Sequence, residues 1–194
     1  MKSRSPIVGI LDLQGDVIEH RRALEQCGAT VILVKTVRDL TKVQALVLPG
    51  GESTAIGKLL HWNELVEPLK QRVRAGMPVY ATCAGAILLA KKIVGRETSP
   101  NLGLMDMTVE RNSYGRQIDS FEALIDVRLG KISQKIPAVF IRAPRIKSVG
   151  KMCKILAYCD RDIVLVQEKN ILISTFHPEL TNDRTIHRYF LSLI

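Results

Sequence analysis

Short apolar runs alternate with helical patterns through the first half of the chain. Residues 7–13 are almost continuously apolar and predict a buried strand, and 16–27 place apolar residues at helical spacing up to Gly28, which predicts a helix closed by glycine. Runs at 30–34 and 45–48 predict two more strands, and 53–75 is helical in character, with Gly76 and Pro78 as punctuation. A fourth strand at 79–82 leads into a helix expected over 84–92. Repeated strand and helix implies a parallel sheet with helices on both faces. In the second half, strand-like pieces at 105–109, 122–129, 138–141, 154–158, 163–167 and 171–176 follow one another across short turns, which extends the sheet in antiparallel or mixed fashion. After residue 182, Ile186, Tyr189, Phe190, Leu193 and Ile194 recur at helical spacing, with Asn182 or Asp183 available as cap. The expected fold is α/β, with a mainly parallel or mixed central sheet flanked by helices.

Composition narrows the picture. The chain has 194 residues, 46% hydrophobic and 24% charged, which sets aside disordered, collagenous and disulfide-stapled classes. No repeat or Pro/Gly/Ser linker divides it, and the irregular stretch 95–101 is short enough for a surface loop, so 1–194 is expected to be one domain. The densest apolar run, 84–90, falls well short of the roughly 20 residues a spanning helix needs and is closed by Lys91 and Lys92. Asp12, Gln14 and Asp16 interrupt the apolar stretch near the start, against an export signal. A cytoplasmic protein with no membrane association is expected. Cys27, Cys83, Cys153 and Cys159 show neither C-x-x-C pairing nor metal-ligand spacing, so neither a disulfide framework nor a metal site is anticipated.

Lys and Arg number 28 against 19 Asp and Glu, a net charge of +9. The surplus is local: Arg128, Lys131, Lys135, Arg142, Arg145, Lys147, Lys151 and Lys154 lie between residues 127 and 159, with no acidic residue among them. This stretch lacks the interleaved aromatics of a nucleic-acid binder, and its seven basic residues other than Arg142 are expected to form a solvated face or a partner surface.

Candidate chemistry begins at Cys83, where a strand ends and a helix begins, with Ala81 and Gly85 as small flanks. A nucleophile on such a turn is held above the sheet in a strained conformation that bulky neighbours would obstruct. The helix N-terminus favours thiolate, and the Ala84 amide is available to an oxyanion. The plain alternative is a small buried thiol. Phe176-His177-Pro178-Glu179, at the end of an apolar strand, supplies a base and an acceptor to fix its ring. Pro49-Gly50-Gly51-Glu52-Ser53 follows another strand; its glycines allow close backbone approach, and Glu52 and Ser53 can bind a polar substrate or cap the next helix. Neither a P-loop lysine nor G-x-G-x-x-G is present.

The strings PGGES, TCAG and FHPE, in this order and spacing, resemble the class I (triad) glutamine amidotransferases, which have a flavodoxin-like three-layer sandwich. LQGD (13–16), GLMD (103–106), VERNSYGRQ (109–117), DSFEA (119–123) and AVFIRAP (138–144) are similar to one branch, the glutaminase subunits of pyridoxal 5'-phosphate synthase. The resemblance runs from about Val8 to the C-terminal helix. It implies hydrolysis of glutamine to glutamate and ammonia without a cofactor, the ammonia passing to a synthase (lyase) subunit in a large hetero-oligomer. It also implies Cys83 as nucleophile, His177 as proton shuttle and Glu179 as its orienting acid. The amides of Gly51 and Ala84 would form the oxyanion hole, and Gly51, Glu52, Ser53, Arg111, Ile141 and Arg142 would hold glutamine. An arginine suits the substrate's α-carboxylate, but which one is left open. The glutaminase subunit of imidazole glycerol phosphate synthase remains an alternative, as does a noncatalytic module with a structural cysteine.

Two positions depart from the family pattern. Ala81 stands where Gly is usual, which adds one methyl group. Asp12 stands where a small residue is usual, and burial of an unpaired charge inside a strand is costly, so it is expected near the strand end, hydrogen-bonded or facing a subunit contact. His20, on a helical face with Val17 and Leu24, is expected to be a partly buried structural histidine; His61 and His187 to be surface or satisfied; Trp62 to be packing; Asp119, Glu122 and Asp126 to lie on solvated faces.

Overall fold

A computed structural model describes residues 5–95, 101–111 and 120–194. The first half runs β1 (Ile7–Leu11), α1 (Val17–Gln26), β2 (Thr30–Val34), α2 (Val37–Leu40), β3 (Ala45–Leu48), α3 (Ser53–Trp62), α4 (Val66–Arg74), β4 (Val79–Thr82) and α5 (Ala84–Leu89). The second half runs β5 (Ala90–Val94), β6 (Met105–Glu110), β7 (Ser120–Leu129), β8 (Ile132–Ile141), β9 (Arg145–Val149), β10 (Lys154–Cys159), β11 (Asp162–Glu168) and β12 (Ile171–Ser174), then a 3-10 turn, Pro178–Leu180, and α6 (Thr185–Leu191).

The strand order is β2-β1-β3-β4-β12-β11-β10-β7-β8, with β5, β6 and β9 branching off β11. Strands β2, β1, β3, β4 and β12 are mutually parallel; from β12 to β8 the pairings are antiparallel. Because successive strand residues face opposite sides, the parallel strands feed two cores. Leu46, Leu48, Val79 and Ala81 face one core with Ile56 and Leu60 of α3 and Leu69 of α4. Val8, Ile10, Val47 and Tyr80 face the other, with Leu24 of α1, Phe190 of α6 and Phe140 of β8. The result is the expected mixed sheet between helical layers.

Several boundaries differ from the sequence expectation. The helix after β4 stops at Leu89: Ala90 is extended (ψ 139°), and 90–94 pair with β6 instead, so strand pairing overrides the local helical pattern. The 53–75 stretch is two helices, broken at Glu64, whose φ is 55°. β1 ends at Leu11, β8 begins at Ile132, and α2 and β9 lie outside the expected elements. Asp183 serves the C-terminal helix, its Oδ1 accepting from the Thr185 amide at 2.7 Å. Asp12 sits one residue past β1, its amide donating to Val34 O at 3.0 Å and its carboxylate 3.1 Å from Lys35 Nζ. Trp62 is 84% exposed, on the side of α3 away from Ile56 and Leu60, and so does not pack. Glu122 and Asp126 lie on the exposed face of β7; Asp119, the 96–100 part of the expected loop and most of VERNSYGRQ fall outside the described residues.

The basic stretch divides as well. Arg145 makes two hydrogen bonds to Asp162, at 2.7 and 3.0 Å, and Lys147 reaches Glu110 at 3.3 Å, whereas Arg128, Lys131 and Lys135 are exposed on the β7–β8 hairpin. No helix among the described residues is long and apolar enough to cross a membrane.

Candidate active site

Three neighbouring parallel strands end together. Thr82 of β4 pairs with Ser174 of β12, and Leu48 of β3 pairs with Ala81 of β4, so the segments following all three strands meet at the C-terminal edge of the sheet. Open α/β sheets bind ligands at this edge. Cys83 follows β4 directly. Its amide donates to Ser174 O at 2.9 Å, and its φ of 46° and ψ of −102° put it in a backbone conformation that costs a non-glycine residue roughly 1–3 kcal/mol. Gly85 is needed where the helix passes β3: a Cβ there would lie 2.7 Å from Leu48 O. Ala84 is the first residue of α5, so its amide has no helical carbonyl to bind.

His177, three residues beyond β12, is tied by its amide to Val139 O at 2.8 Å. Its Nδ1 lies 2.7 Å from Glu179 Oε1 and 3.3 Å from Asp16 Oδ2. Burial disfavours the imidazolium, but the nearby Asp16 carboxylate, Cys83 thiol and Glu179 carboxylate outweigh it and push His177 up to about 12. Nε2 is buried without a hydrogen-bond partner, and the thiol is close enough to strengthen the ring's hold on a proton. Glu179 is buried, which favours its neutral form, yet His20 and His177 hold its carboxyl below the usual range. The set is a thiol, an imidazole and a carboxylate in sequence, suited to nucleophilic attack and proton transfer.

A cavity of about 380 Å³ opens above Cys83. Every candidate site residue except Glu179 lines it: Gly51, Glu52, Ser53, Cys83, Ala84, Arg111, Ile141, Arg142 and His177. Glu179 lies behind His177. Ile141 O accepts from Cys83 Sγ at 3.7 Å, which brings the end of β8 over Cys83. Glu52 caps α3 through the amides of Thr54 (3.2 Å) and Ala55 (2.7 Å), and Arg111 donates to Glu52 Oε1 at 2.9 Å and to Thr54 Oγ1 at 3.0 Å. Arg142, held at φ 42°, faces the cavity with no ion-pair partner among the described residues. Ser53 Oγ is buried and equally without a hydrogen-bond partner.

Four residues were not anticipated as part of the site. Gln14 lines the cavity and its Oε1 accepts from the Glu52 amide at 2.7 Å, bracing the glycine loop. Asp16 occupies the N-cap position of α1 but makes no side-chain cap, its carboxylate turning to His177 instead. His20 and His187, expected to be structural or superficial, are fully buried behind the triad. The string LQGD carried the first two; nothing local distinguishes His20 from a core histidine. Asp16, His177 and Glu179 bring one possible metal-ligand atom each within 4.8 Å of one another. Nδ1 of His177 is already engaged in the 2.7 Å hydrogen bond with Glu179 Oε1.

Solved structures with this fold define the class. A crystal structure of a glutamine amidotransferase is 45% identical, with a TM-score of 0.90 over 96% of this chain and 97% of that one. A second glutamine amidotransferase, from Thermotoga maritima, is 12% identical with a TM-score of 0.64 over 98% of this chain and 82% of that one, and shares the fold alone. Within that class the chain belongs to the SNO glutamine amidotransferase family, whose pattern matches residues 10–194. Relatives named pyridoxal 5'-phosphate synthase subunit PdxT include one from Desulforamulus reducens, 48% identical over 97% of this chain and 99% of its own length. Another, from Thermotoga sp. strain RQ2, is 50% identical over 96% and 98%.

Proposed function

We propose that this protein is the glutaminase subunit of a cytoplasmic pyridoxal 5'-phosphate synthase, releasing ammonia from glutamine for a synthase subunit in a large hetero-oligomer. The observation that carries the reading is the arrangement of Cys83, His177 and Glu179 on adjacent strand ends beneath a polar cavity, in a chain half identical to subunits of that name. Cys83 thiolate attacks the side-chain carbonyl of glutamine, and the oxyanion is received by the amides of Gly51 and Ala84. His177 gives its proton to the departing ammonia, leaving a γ-glutamyl thioester. It then takes a proton from water, whose attack on the thioester releases glutamate and restores the Cys83 thiolate beside the protonated His177. Glu179 keeps the Nδ1 proton in place, so Nε2 is the working nitrogen.

On the substrate side, Arg111 is committed to Glu52 and Thr54. Arg142 therefore takes the α-carboxylate, with Glu52 facing the α-ammonium and Ser53 Oγ supplying a hydrogen bond. Glutamate release is to be measured for the chain with and without a pyridoxal 5'-phosphate synthase subunit. Activity that requires the intact thiol supports the reading, and a Cys83→Ala protein with full activity in the complex overturns it.

A further inference from the structure

Behind the triad, on the side away from the cavity, lies a closed polar cluster that the reaction scheme leaves unused. His20 of α1 and His187 of α6 are both 0% exposed. His20 Nε2 makes a hydrogen bond with Thr82 Oγ1 at 3.1 Å and lies 3.4 Å from Glu179 Oε1. That oxygen is the one paired with His177 Nδ1, while Glu179 Oε2 is buried without a partner. On its other side, His20 Nδ1 lies 3.4 Å from His187 Nε2. Tyr80 packs edge-on against both imidazoles, its hydroxyl 2.9 Å from Ser174 Oγ.

Proton placement follows from these neighbours. A bare Nε2 on His20 would set a lone pair against the Glu179 carboxylate, so Nε2 carries hydrogen. His187 is driven by burial down to about 3 and stays neutral. Its Nδ1 has no partner, so its proton sits on Nε2 and is donated to His20 Nδ1. The groups facing His20 are then Thr82 and Tyr80 from β4, Glu179 from the 3-10 turn and His187 from α6.

We infer that His20 is a positioning residue for the glutaminase triad, holding the Glu179 carboxylate and the Thr82 hydroxyl with one N–H and so fixing the acid relative to the strand end that carries Cys83. This rests on the proposed glutaminase function. One residue thereby joins the two halves of the triad, because Thr82 immediately precedes the nucleophile. His187 supports it from behind as an obligate donor. A buried carboxylate with one oxygen unpartnered depends on the donors to the other, and loss of His20 leaves His177 alone to orient it.

The test uses the chain assembled with its synthase subunit and follows glutamate release across pH. His20→Leu removes the donor, whereas His20→Gln keeps an N–H at similar reach. The expected result is a ten- to hundredfold lower kcat for His20→Leu, with KM for glutamine within threefold. Its acid limb moves to higher pH, because Glu179 loses a group that favours its charged form, and His20→Gln recovers kcat to within fivefold. Equal losses in both variants, or an acid limb that does not move, would assign His20 to packing alone and overturn the inference. Should His20→Leu not fold, the tautomer of His20 in the wild-type chain decides, read by nitrogen-15 NMR. A proton on Nε2 is expected, and a bare Nε2 overturns the inference. A wild-type complex without glutaminase activity, or a fully active Cys83→Ala complex, would instead defeat the underlying function, which separates the two failures.

Discussion

Gly50→Ala isolates how closely the glycine loop must approach the acid–base pair. A Cβ on Gly50 would lie 2.5 Å from His177 Cε1 and 2.7 Å from Asp16 Oδ2. Ordinary contact begins near 3.4 Å, so the ring and loop must separate by about 0.9 Å. The ring has little freedom to retreat, since its residue is anchored to Val139 O and Glu179 Oε1. Gly50 is not among the positive-φ residues, so backbone strain adds nothing and the whole effect is steric. Overpacking of this kind costs about 1–3 kcal/mol of stability, and a displacement near 1 Å at reacting groups costs about a hundredfold in rate. The assay is kcat for glutamate release in the synthase complex, beside thermal unfolding of the chain. Gly28→Ala is the control: at φ 86° with nothing within 4 Å of its Cβ, it should lose about 1–2 kcal/mol and keep its activity. A Gly50→Ala enzyme with kcat within threefold of wild type would refute the close-approach argument.

Two further outcomes follow from the charges around the site. Arg142→Ala loses a charge-assisted contact worth about 1.5–3 kcal/mol, so KM for glutamine should rise at least tenfold while kcat changes little, whereas a selective fall in kcat would place Arg142 on the reacting centre instead. Asp16→Asn removes a group that favours the imidazolium, so His177 should release its proton at lower pH than about 12. The alkaline limb of kcat then moves down in pH, and histidine NMR titration checks it directly. A limb that stays or rises contradicts the assigned role of Asp16.

The parallel half of the fold is legible because its strands are short, fully buried and separated by glycine and helix signals; 30–34, 45–48 and 79–82 match strand for strand. The second half is legible as strands but not in extent. In β7, buried Ile125, Val127 and Leu129 alternate with exposed Glu122, Leu124 and Asp126, and the outward positions blur where the strand starts. The end of α5 is hidden for a different reason: 90–94 becomes a strand only because β6 is there to pair with it, a contact at a distance that no local pattern records. For the site, motif order pointed to Cys83, His177 and Glu179 and to most of the residues that the structure gathers around the cavity. His20 escaped because an apolar helix face around a histidine reads as core, and only the packing of α1 against the 3-10 turn brings it to Glu179. The proposed preference for Arg142 over Arg111 likewise rests on Arg111 being already engaged by Glu52.

In the proposed reaction Cys83, on its strained turn, is the nucleophile that opens the glutamine amide. The most direct measurement is peptide mapping by mass spectrometry after treating the synthase-bound protein with a glutamine analogue that carries an electrophile in place of the side-chain amide. Of the four free cysteines, Cys27, Cys83, Cys153 and Cys159, Cys83 is expected to carry one equivalent of adduct, slowed by excess glutamine, with glutamate release falling in step. Unmodified Cys83 in a complex that still releases glutamate, or labelling confined to the other three thiols, would contradict it.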